Sequence, residues 1–324
     1  MYPRREVYLS GPRSHRNWRR RGRRAQVAAV ATLLGLLLVV TFIANYLSTQ
    51  LPDQMQANDL NHEIQVENQV GQYAALLQAV SAAHANGAQI TQPISLGSAG
   101  VPPFAAPDPA YLSAPANGTW AYINYTLTGT GGTTAITTPI VTGAGLVTHL
   151  VNAYTPSSEV ALNLGGVVYA DLGGIPIFSN PPAISALVNT TSQEVTALSI
   201  WMPEFKGTIP GTSGALTATL VSRLISTNEV LASSATHLSV APGTSVTLTL
   251  VSQYAAAWYN YFLAQHWPGV TPTCVAAPPT TSTTLACSSP YFATNNIGKV
   301  VVAIPGANLA RLDVTVALFS IGVQ

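Results

Sequence analysis

The hydrophobic positions of the chain follow two different patterns, one helical near the N-terminus and one β-type beyond it. The helical part begins with residues 25–47, which contain no charged side chain and are numerous enough for a helix to cross the hydrocarbon core of a bilayer. A secretory signal has a shorter apolar region followed by a small-residue cleavage site, whereas FIANYLSTQLP follows here without a clear A-x-A motif. We therefore predict a transmembrane helix over residues 25–48.

Residues 49–87 predict an amphipathic helix, because their apolar side chains recur mostly at three- and four-residue steps. Pro52 should kink or restart the helix, and Asn86-Gly87 is a suitable C-terminal stop. We expect this helix to form a stalk, and packing on its own globular domain is compatible with that role. The expected apolar face contains Leu60, Ile64, Val70, Tyr73, Leu77 and Val80, and His62, Glu63, Asn68 and Gln69 lie largely off it.

The pattern changes to β-type in the second part of the chain. Residues 88–118 are rich in Pro, Gly, Ala and Ser, which is typical of a linker or an irregular surface segment. Over residues 119–324, short runs rich in Val, Ile, Thr and Tyr alternate with Gly, Pro and Asn, and this pattern predicts a sandwich or stack of mainly antiparallel sheets. Within it, VVYADLGGIPIF predicts a hairpin that turns near Gly173-Gly174.

One helix interrupts the predicted strands at SQYAAAWYNYFLAQHW, residues 252–267, with Ser252 as its candidate N-cap. An aromatic face of this kind can bind a sugar, but it more often packs a helix onto a sheet. The expected fold class is therefore α+β, with a long N-terminal helix, a β-rich extracellular domain and one late packed helix. The aromatic face consists of Tyr254, Trp258, Tyr261 and Phe262.

The distribution of charge orients the predicted membrane segment. Residues 1–24 contain nine arginines and one acid, whereas the remainder contains four basic and eleven acidic residues. By the positive-inside rule, residues 1–24 form a cytoplasmic leader and residues 49–324 lie outside the cell. A basic segment can also bind nucleic acid, but its position beside a membrane-length apolar run favours anchoring, so we expect no nucleic-acid partner.

The combination of a basic leader, an uncharged apolar helix, an amphipathic extension and a β-rich head resembles archaeal type IV pilin-like membrane proteins, a largely uncharacterised family. Arg24-Ala25-Gln26 is similar to the site at which prepilin peptidases cut, just before the apolar helix. The resemblance places a cut between Ala25 and Gln26. The aromatic spacing of the late helix also resembles this family, so the similarity covers the N-terminal helix and the last third of the chain.

The two cysteines, Cys274 and Cys287, are both external in this topology and predict a disulfide. Closing a loop of this size stabilises by about 3 kcal/mol in the chain-entropy model; two free thiols are the alternative. Three N-x-[ST] triplets are candidate N-glycosylation sites in an exported chain. They begin at Asn117, Asn124 and Asn189; Asn117 is the best acceptor, and Asn124 falls within a predicted strand.

The sequence contains no convincing catalytic motif. No histidine pair has the H-E-x-x-H spacing, and Ser213 lacks the G-x-S-x-G context of a nucleophile elbow. Glu159 and Asp171 are candidates for a carboxylate pair, but the sequence does not place them together. We therefore expect no enzymatic activity, no cofactor and no metal.

These observations predict a single-pass, pilin-like surface protein with a structural or adhesive role in the cell envelope or a filament. Its expected partners are membrane lipid, further copies or other pilin-like subunits, and an envelope protein or glycan ligand. Small residues in the apolar run permit close helix approach: Ala28, Ala29, Ala31, Thr32 and Gly35. The alternatives are a permanently anchored binding protein that does not polymerise, and a surface hydrolase.

Overall fold

The computed structural model divides the chain into two compact units, Met1–Gln54 and Met55–Gln324. The described residues are 15–114, 120–129, 132–137, 141–142, 145–171, 174–214, 217–231, 239–240, 245–276, 298–305, 309 and 311–324.

The first unit is helical. Helix α1 spans His15–Asn45 and is followed by a π-helical segment, Tyr46–Gln50, in which the N–H of Leu51 donates to the carbonyl of Tyr46. Both threonines of the apolar run donate to the backbone carbonyl four residues earlier, Thr32 to Ala28 at 2.5 Å and Thr41 to Leu37 at 2.8 Å. Internal pairing of every polar group is what a bilayer demands of a spanning segment.

Helix α2 spans Leu51–Ala82, and its residues from Met55 onward belong to the second unit. Val66, Val70, Tyr73 and Leu77 are fully buried and lie in one hydrophobic core with the strands. The segment predicted as a stalk is therefore part of the core of the domain, as the packing interpretation anticipated.

The first turns of α2 expose a different face from the predicted one. Leu60 and Ile64 are 46% and 58% exposed, whereas His62 and Glu63 are only 4% and 6% exposed. The expected burial of Leu60 and Ile64 is wrong, because polar partners from distant loops cover the other side of the helix. The helix also ends before the predicted Asn86-Gly87 stop, and His84 and Gly87 adopt positive φ in the turn that follows.

Within the described residues, the strands form three sheets. In chain order they are β1 (Gln89–Ser95), β2 (Ala110–Ala114), β3 (Trp120–Gly129), β4 (Gly132–Thr137), β5 (Val141–Thr142), β6 (Gly145–Leu150), β7 (Ser158–Asn163), β8 (Gly166–Asp171), β9 (Ile177–Asn180), β10 (Ile184–Asn189), β11 (Glu194–Lys206), β12 (Ile209–Gly214), β13 (Thr217–Leu231), β14 (Ser239–Val240), β15 (Ser245–Ser252), β16 (Thr271–Ala276), β17 (Gly298–Pro305) and β18 (Arg311–Val323).

The sheets are mainly antiparallel. Their strand orders are β1-β13-β18-β11-β10, β12-β2-β6-β7-β8-β9 and β14-β3-β15-β17-β16, with β4 and β5 pairing with β3 in the last of these. One pair, β11 with β18, is parallel. One long N-terminal helix followed by these sheets and a short late helix confirms the predicted α+β class.

The six-stranded sheet lies between two helices. Val160, Leu162 and Val167 share a core cluster with α2, whereas Ala161 and Val168 on the opposite face share one with helix α3, Ala255–Gln265. Coverage of both faces explains the consecutive apolar residues at the centre of each strand, Val160–Leu162 in β7 and Val167–Val168 in β8.

Residues 88–118 differ from the predicted linker, because they contain β1 and β2. Strand β1 alternates exposed and buried positions and pairs with β13 at the edge of its sheet. Pro93 is tolerated there, since an edge strand leaves one side of its backbone unpaired. The Pro-rich composition concealed an ordinary edge strand.

Helix α3 confirms the packing interpretation of the aromatic face. Tyr254, Trp258 and Phe262 are buried, and the hydroxyl of Tyr261 donates to the carbonyl of Ile184 at 3.0 Å. The helix begins at Ala255 rather than near Ser252. The hydroxyl of Ser252 accepts from the N–H of Tyr254 at 3.0 Å, so it shapes the turn before the helix.

The predicted hairpin is present as β8 and β9. Val168 pairs with Phe178 in the antiparallel register, and the N–H of Gly174 donates to the carbonyl of Asp171 at 3.1 Å in the turn. Gly173 lies outside the described residues.

Candidate functional site

Among the residues that the structure describes, one helical stretch, Gln26–Ala82, is long and apolar enough to cross a membrane. Its most apolar window is 0% buried, and Phe42 is 73% exposed. A core helix of a soluble protein would bury such side chains. Length and composition are compatible with a single-pass anchor, and a secretion signal meets the same criterion.

The residues of the expected leader cut lie within α1. Arg24, Ala25 and Gln26 are all helical, and the side chain of Gln26 is exposed. Cleavage between Ala25 and Gln26 stays a prediction.

Where α2 enters the domain, it contributes a buried glutamate to a polar site. One carboxylate oxygen of Glu63, Oε1, accepts from Asn152 Nδ2 at 2.8 Å and from the hydroxyl of Ser158 at 2.7 Å. Oε2 accepts from the hydroxyl of Tyr169 at 3.3 Å. Burial, followed by the nearby carboxylates of Glu63 and Asp171, raises the pKa of Tyr169 to about 12, so the phenol remains a donor at neutral pH.

One helical turn earlier, Asp59 is completely buried. Its Oδ2 accepts from the N–H of Tyr154 at 3.3 Å, and Asp108 Oδ2 accepts from the adjacent N–H of Ala153 at 3.0 Å. Burial raises the pKa of Asp59; the hydrogen bond from Tyr154 opposes this shift, and the neighbouring carboxylate of Asp108 adds to it. Asp59, Glu63 and Asp108 therefore surround one loop, residues 151–157, and we call these three side chains the carboxylate cluster.

No basic side chain neutralises the carboxylate cluster, because none of its members forms an ion pair within the described part of the chain. The imidazole of His62 interacts electrostatically with Glu63 and Asp108. Its Nε2 lies 3.2 Å from the carbonyl of Ser95 and donates to it in the Nε2–H tautomer. Burial lowers the pKa of His62, which favours its neutral form. The cluster therefore gathers three carboxyl groups without a cationic partner among the described residues.

Buried oxygens without a hydrogen-bond partner also concentrate here. Of the five such side-chain atoms among the described residues, three belong to this site, namely Asp59 Oδ1, Asn152 Oδ1 and Thr155 Oγ1. Buried polar atoms are nearly always hydrogen-bonded, so a group of exceptions requires an explanation. In the same described part, no set of three or more His, Cys, Asp or Glu side chains could hold a metal ion.

Sequence reasoning missed this site. Glu63 was expected off the packed face, and Asp108 lies in the segment expected to be a linker. The available signal was the i, i+4 pair of acids on α2, but it is indistinguishable from an ordinary solvated helix face.

The sequence left open whether Glu159 and Asp171 come together as a carboxylate pair, and in the structure they do not. In the β7–β8 register, Glu159 lies opposite Ala170 and Ser158 lies opposite Asp171, so the two acids project from opposite faces of the sheet. Glu159 instead contacts His149 Nδ1 at 2.8 Å and accepts from the hydroxyl of Tyr254 at 3.0 Å.

An open groove of about 370 Å³ lies between α2 and β9. Polar side chains and two small residues line it: Glu67, Asn68, Gln72, Ser179 and Asn180, with Gly71 and Ala75.

The candidate modification sites differ in their surroundings. Asn189 is exposed at the end of β10, and its Oδ1 accepts from the N–H of Thr191 at 2.9 Å within a surface turn. Asn124 is half-buried in β3, where it pairs with β15. Asn117 lies outside the described residues. Glycosylation stays a prediction, for which Asn189 now has the most favourable described surroundings.

The predicted disulfide is also untested. Cys274 lies on β16, and Cys287 lies outside the described residues.

Comparison with known proteins gives no relative, since no family model, no curated protein and no solved structure matches the chain. The description of the protein therefore rests on its architecture, an α+β domain that follows a helix of membrane-spanning length.

Proposed function

We propose that the chain is a single-pass surface protein whose basic N-terminal segment stays in the cytoplasm and whose α+β domain is displayed outside the cell. We further propose a non-enzymatic, pilin-like role, structural or adhesive. The observation that carries the proposal is the fully exposed apolar window of the N-terminal helix, next to nine arginines.

The exposed apolar side chains require a nonaqueous environment. Leu33, Leu38 and Phe42 are each more than 60% exposed, and burying a side chain of this size is worth about 1.5–3 kcal/mol. A run of such residues is therefore strongly driven into lipid or against other apolar helices. A bilayer satisfies this requirement, and so does the helical core of a filament.

The leader discriminates between these two environments. Small residues along the run permit helices to approach closely, but the nine arginines could not enter such a core, because burying unpaired charge is prohibitive. Removal of the leader must then precede polymerisation. An attached leader instead implies a protein that stays in the bilayer.

The test is to block the proposed cut with Ala25→Leu, which keeps the site apolar. We expect the parent protein, extracted from membranes, to begin at Gln26 and to form oligomers in mild detergent, whereas the variant retains its leader and stays monomeric. Ala44→Leu is the matched control, because it makes the same change on the exposed helix away from the cut and away from the small residues that permit close approach; it should still be processed and form oligomers. If the parent and Ala25→Leu both keep Met1 and are both monomeric, the pilin-like role is refuted.

The groove between α2 and β9 favours one alternative, an anchored binding protein that does not polymerise. Its volume lies within the range of small-molecule sites, and the polar side chains in its lining suit a glycan. Gly71→Leu would fill it, since an added Cβ meets only Asn180 Nδ2 at 3.7 Å. Binding of the parent to isolated cell-envelope material, and loss of that binding in Gly71→Leu with folding intact, would support this alternative.

A further inference from the structure

The carboxylate cluster accepts hydrogen bonds from three consecutive residues of the loop 151–157. Asn152 donates to Glu63, Ala153 donates to Asp108, and Tyr154 donates to Asp59. These bonds place three carboxylates around one short loop. Glu63 has three donors that satisfy it, whereas Asp59 has an oxygen with no protein partner.

The orientation of Asn152 is fixed by its own hydrogen bonds. Its Nδ2 donates to Glu63 Oε1 at 2.8 Å and to the carbonyl of Pro156 at 3.1 Å. A flipped amide would direct its oxygen at two acceptors, so Oδ1 must occupy the side on which it has no partner. Thr155 Oγ1, three residues along the same loop, is likewise buried without a partner.

Every unpartnered buried side-chain atom found at this site is an oxygen. Carboxylate, amide and hydroxyl oxygens are the ligands of hard cations. The side chains of Asp59 and Asp108 are close enough to share a hydrogen bond, and together they carry a formal charge of about −2 when both are ionised. A divalent cation would balance that charge and satisfy the orphaned oxygens together.

We propose that Asp59 and Asp108, together with Asn152 Oδ1 and Thr155 Oγ1, bind Ca²⁺. Two carboxylates and the neutral oxygens of a loop suit Ca²⁺, because this ion accepts irregular coordination by six to eight oxygens and completes its shell with water. Mg²⁺ instead demands a near-ideal octahedron. The bound ion ties α2 to the loop 151–157.

The test begins with the full-length parent protein in mild detergent, stripped with EGTA and titrated with CaCl₂ by calorimetry at pH 7. We expect one saturable site per chain with a Kd of about 10⁻⁴–10⁻³ M, typical of extracellular calcium modules. At 10 mM CaCl₂ the thermal midpoint should rise by about 3 to 10 °C, and MgCl₂ should give a smaller rise. Absence of both heat and midpoint shift overturns the proposal without recourse to any variant.

The assignment to these residues is tested by Asp59→Asn, which should weaken binding at least tenfold. Asp53→Asn is the matched control, because Asp53 is an exposed aspartate on the same helix and its loss should leave the titration unchanged. If Asp59→Asn does not fold, Asp108→Asn provides the same test at a half-buried position. If the variant that folds binds calcium with unchanged affinity, the site is rejected. A proton shared between Asp59 and Asp108 is then the better explanation of their proximity.

Discussion

The hydrogen bond between the hydroxyls of Tyr73 and Ser222 provides a quantitative test of the position of α2 in the domain core. These residues lie on α2 and β13, and both are 0% exposed. Tyr73→Phe leaves the hydroxyl of Ser222 buried without its partner, and Ser222→Ala does the same to Tyr73. An orphaned buried polar group costs about 1–3 kcal/mol, so we expect each single variant to lose about 1–2 kcal/mol of unfolding free energy.

The double variant should cost far less than the sum of the two singles. Removing both partners leaves no unsatisfied group, and such paired replacements are nearly neutral. We therefore expect a coupling free energy of about 1–2 kcal/mol, well above the additivity error of about 0.3–0.5 kcal/mol for independent sites.

The assay is urea unfolding of the full chain in mild detergent, monitored by the fluorescence of the buried Trp201, Trp258 and Trp267. Tyr111→Phe is the control, because Tyr111 is 43% exposed and its change should stay within about 0.5 kcal/mol. Strictly additive effects, or single variants indistinguishable from this control, would show that α2 does not contact β13 in the folded protein.

Three further predictions concern the polar site, the late helix and glycosylation. In EGTA buffer, the raised pKa of Asp59 should lower the unfolding free energy as the pH rises from 3.8, the ordinary pKa of this group, through its pKa in the folded protein. The lowered pKa of His62 should instead lower the unfolding free energy as the pH falls below 6.5. In urea titrations across pH, Asp59→Asn should abolish only the first effect, and an unchanged pH profile would refute this prediction. Trp258→Ala should lose about 3–5 kcal/mol in the same assay, because Trp258 is fully buried and its indole N–H donates to Asn163 at 2.8 Å; a loss below about 1 kcal/mol would contradict this packing. Asn189→Gln should remove one glycan mass from the protein purified from its native cells, and an unchanged mass would exclude that site.

The sequence predicted those features whose cause is local. The apolar run over residues 25–48, the aromatic face of the late helix and the β8–β9 hairpin each follow from the side chains of one short segment, and the structure contains a helix or hairpin in each place. The α+β class followed from combining these segments. Membrane crossing, leader removal and the disulfide remain predictions.

The features that were missed depend on partners distant in sequence. Glu63 is buried because Asn152, Ser158 and Tyr169 donate to it across 89, 95 and 106 residues. A local pattern cannot reveal such donors, so the exposed Leu60 was assigned to the packed face instead. Strand β1 was concealed for a related reason, since its pairing with β13 spans more than a hundred residues.

The central claim, a single-pass protein with its domain outside the cell, is tested most directly by adding protease to intact cells and identifying the surviving peptides by mass spectrometry. We expect peptides from residues 55–324 to be released into the medium, while a fragment containing residues 26–50 stays in the membrane fraction. Any leader that is still attached should be protected until the cells are permeabilised. Release of the arginine-rich N-terminal segment from intact cells, or protection of the domain until permeabilisation, would contradict the proposed topology.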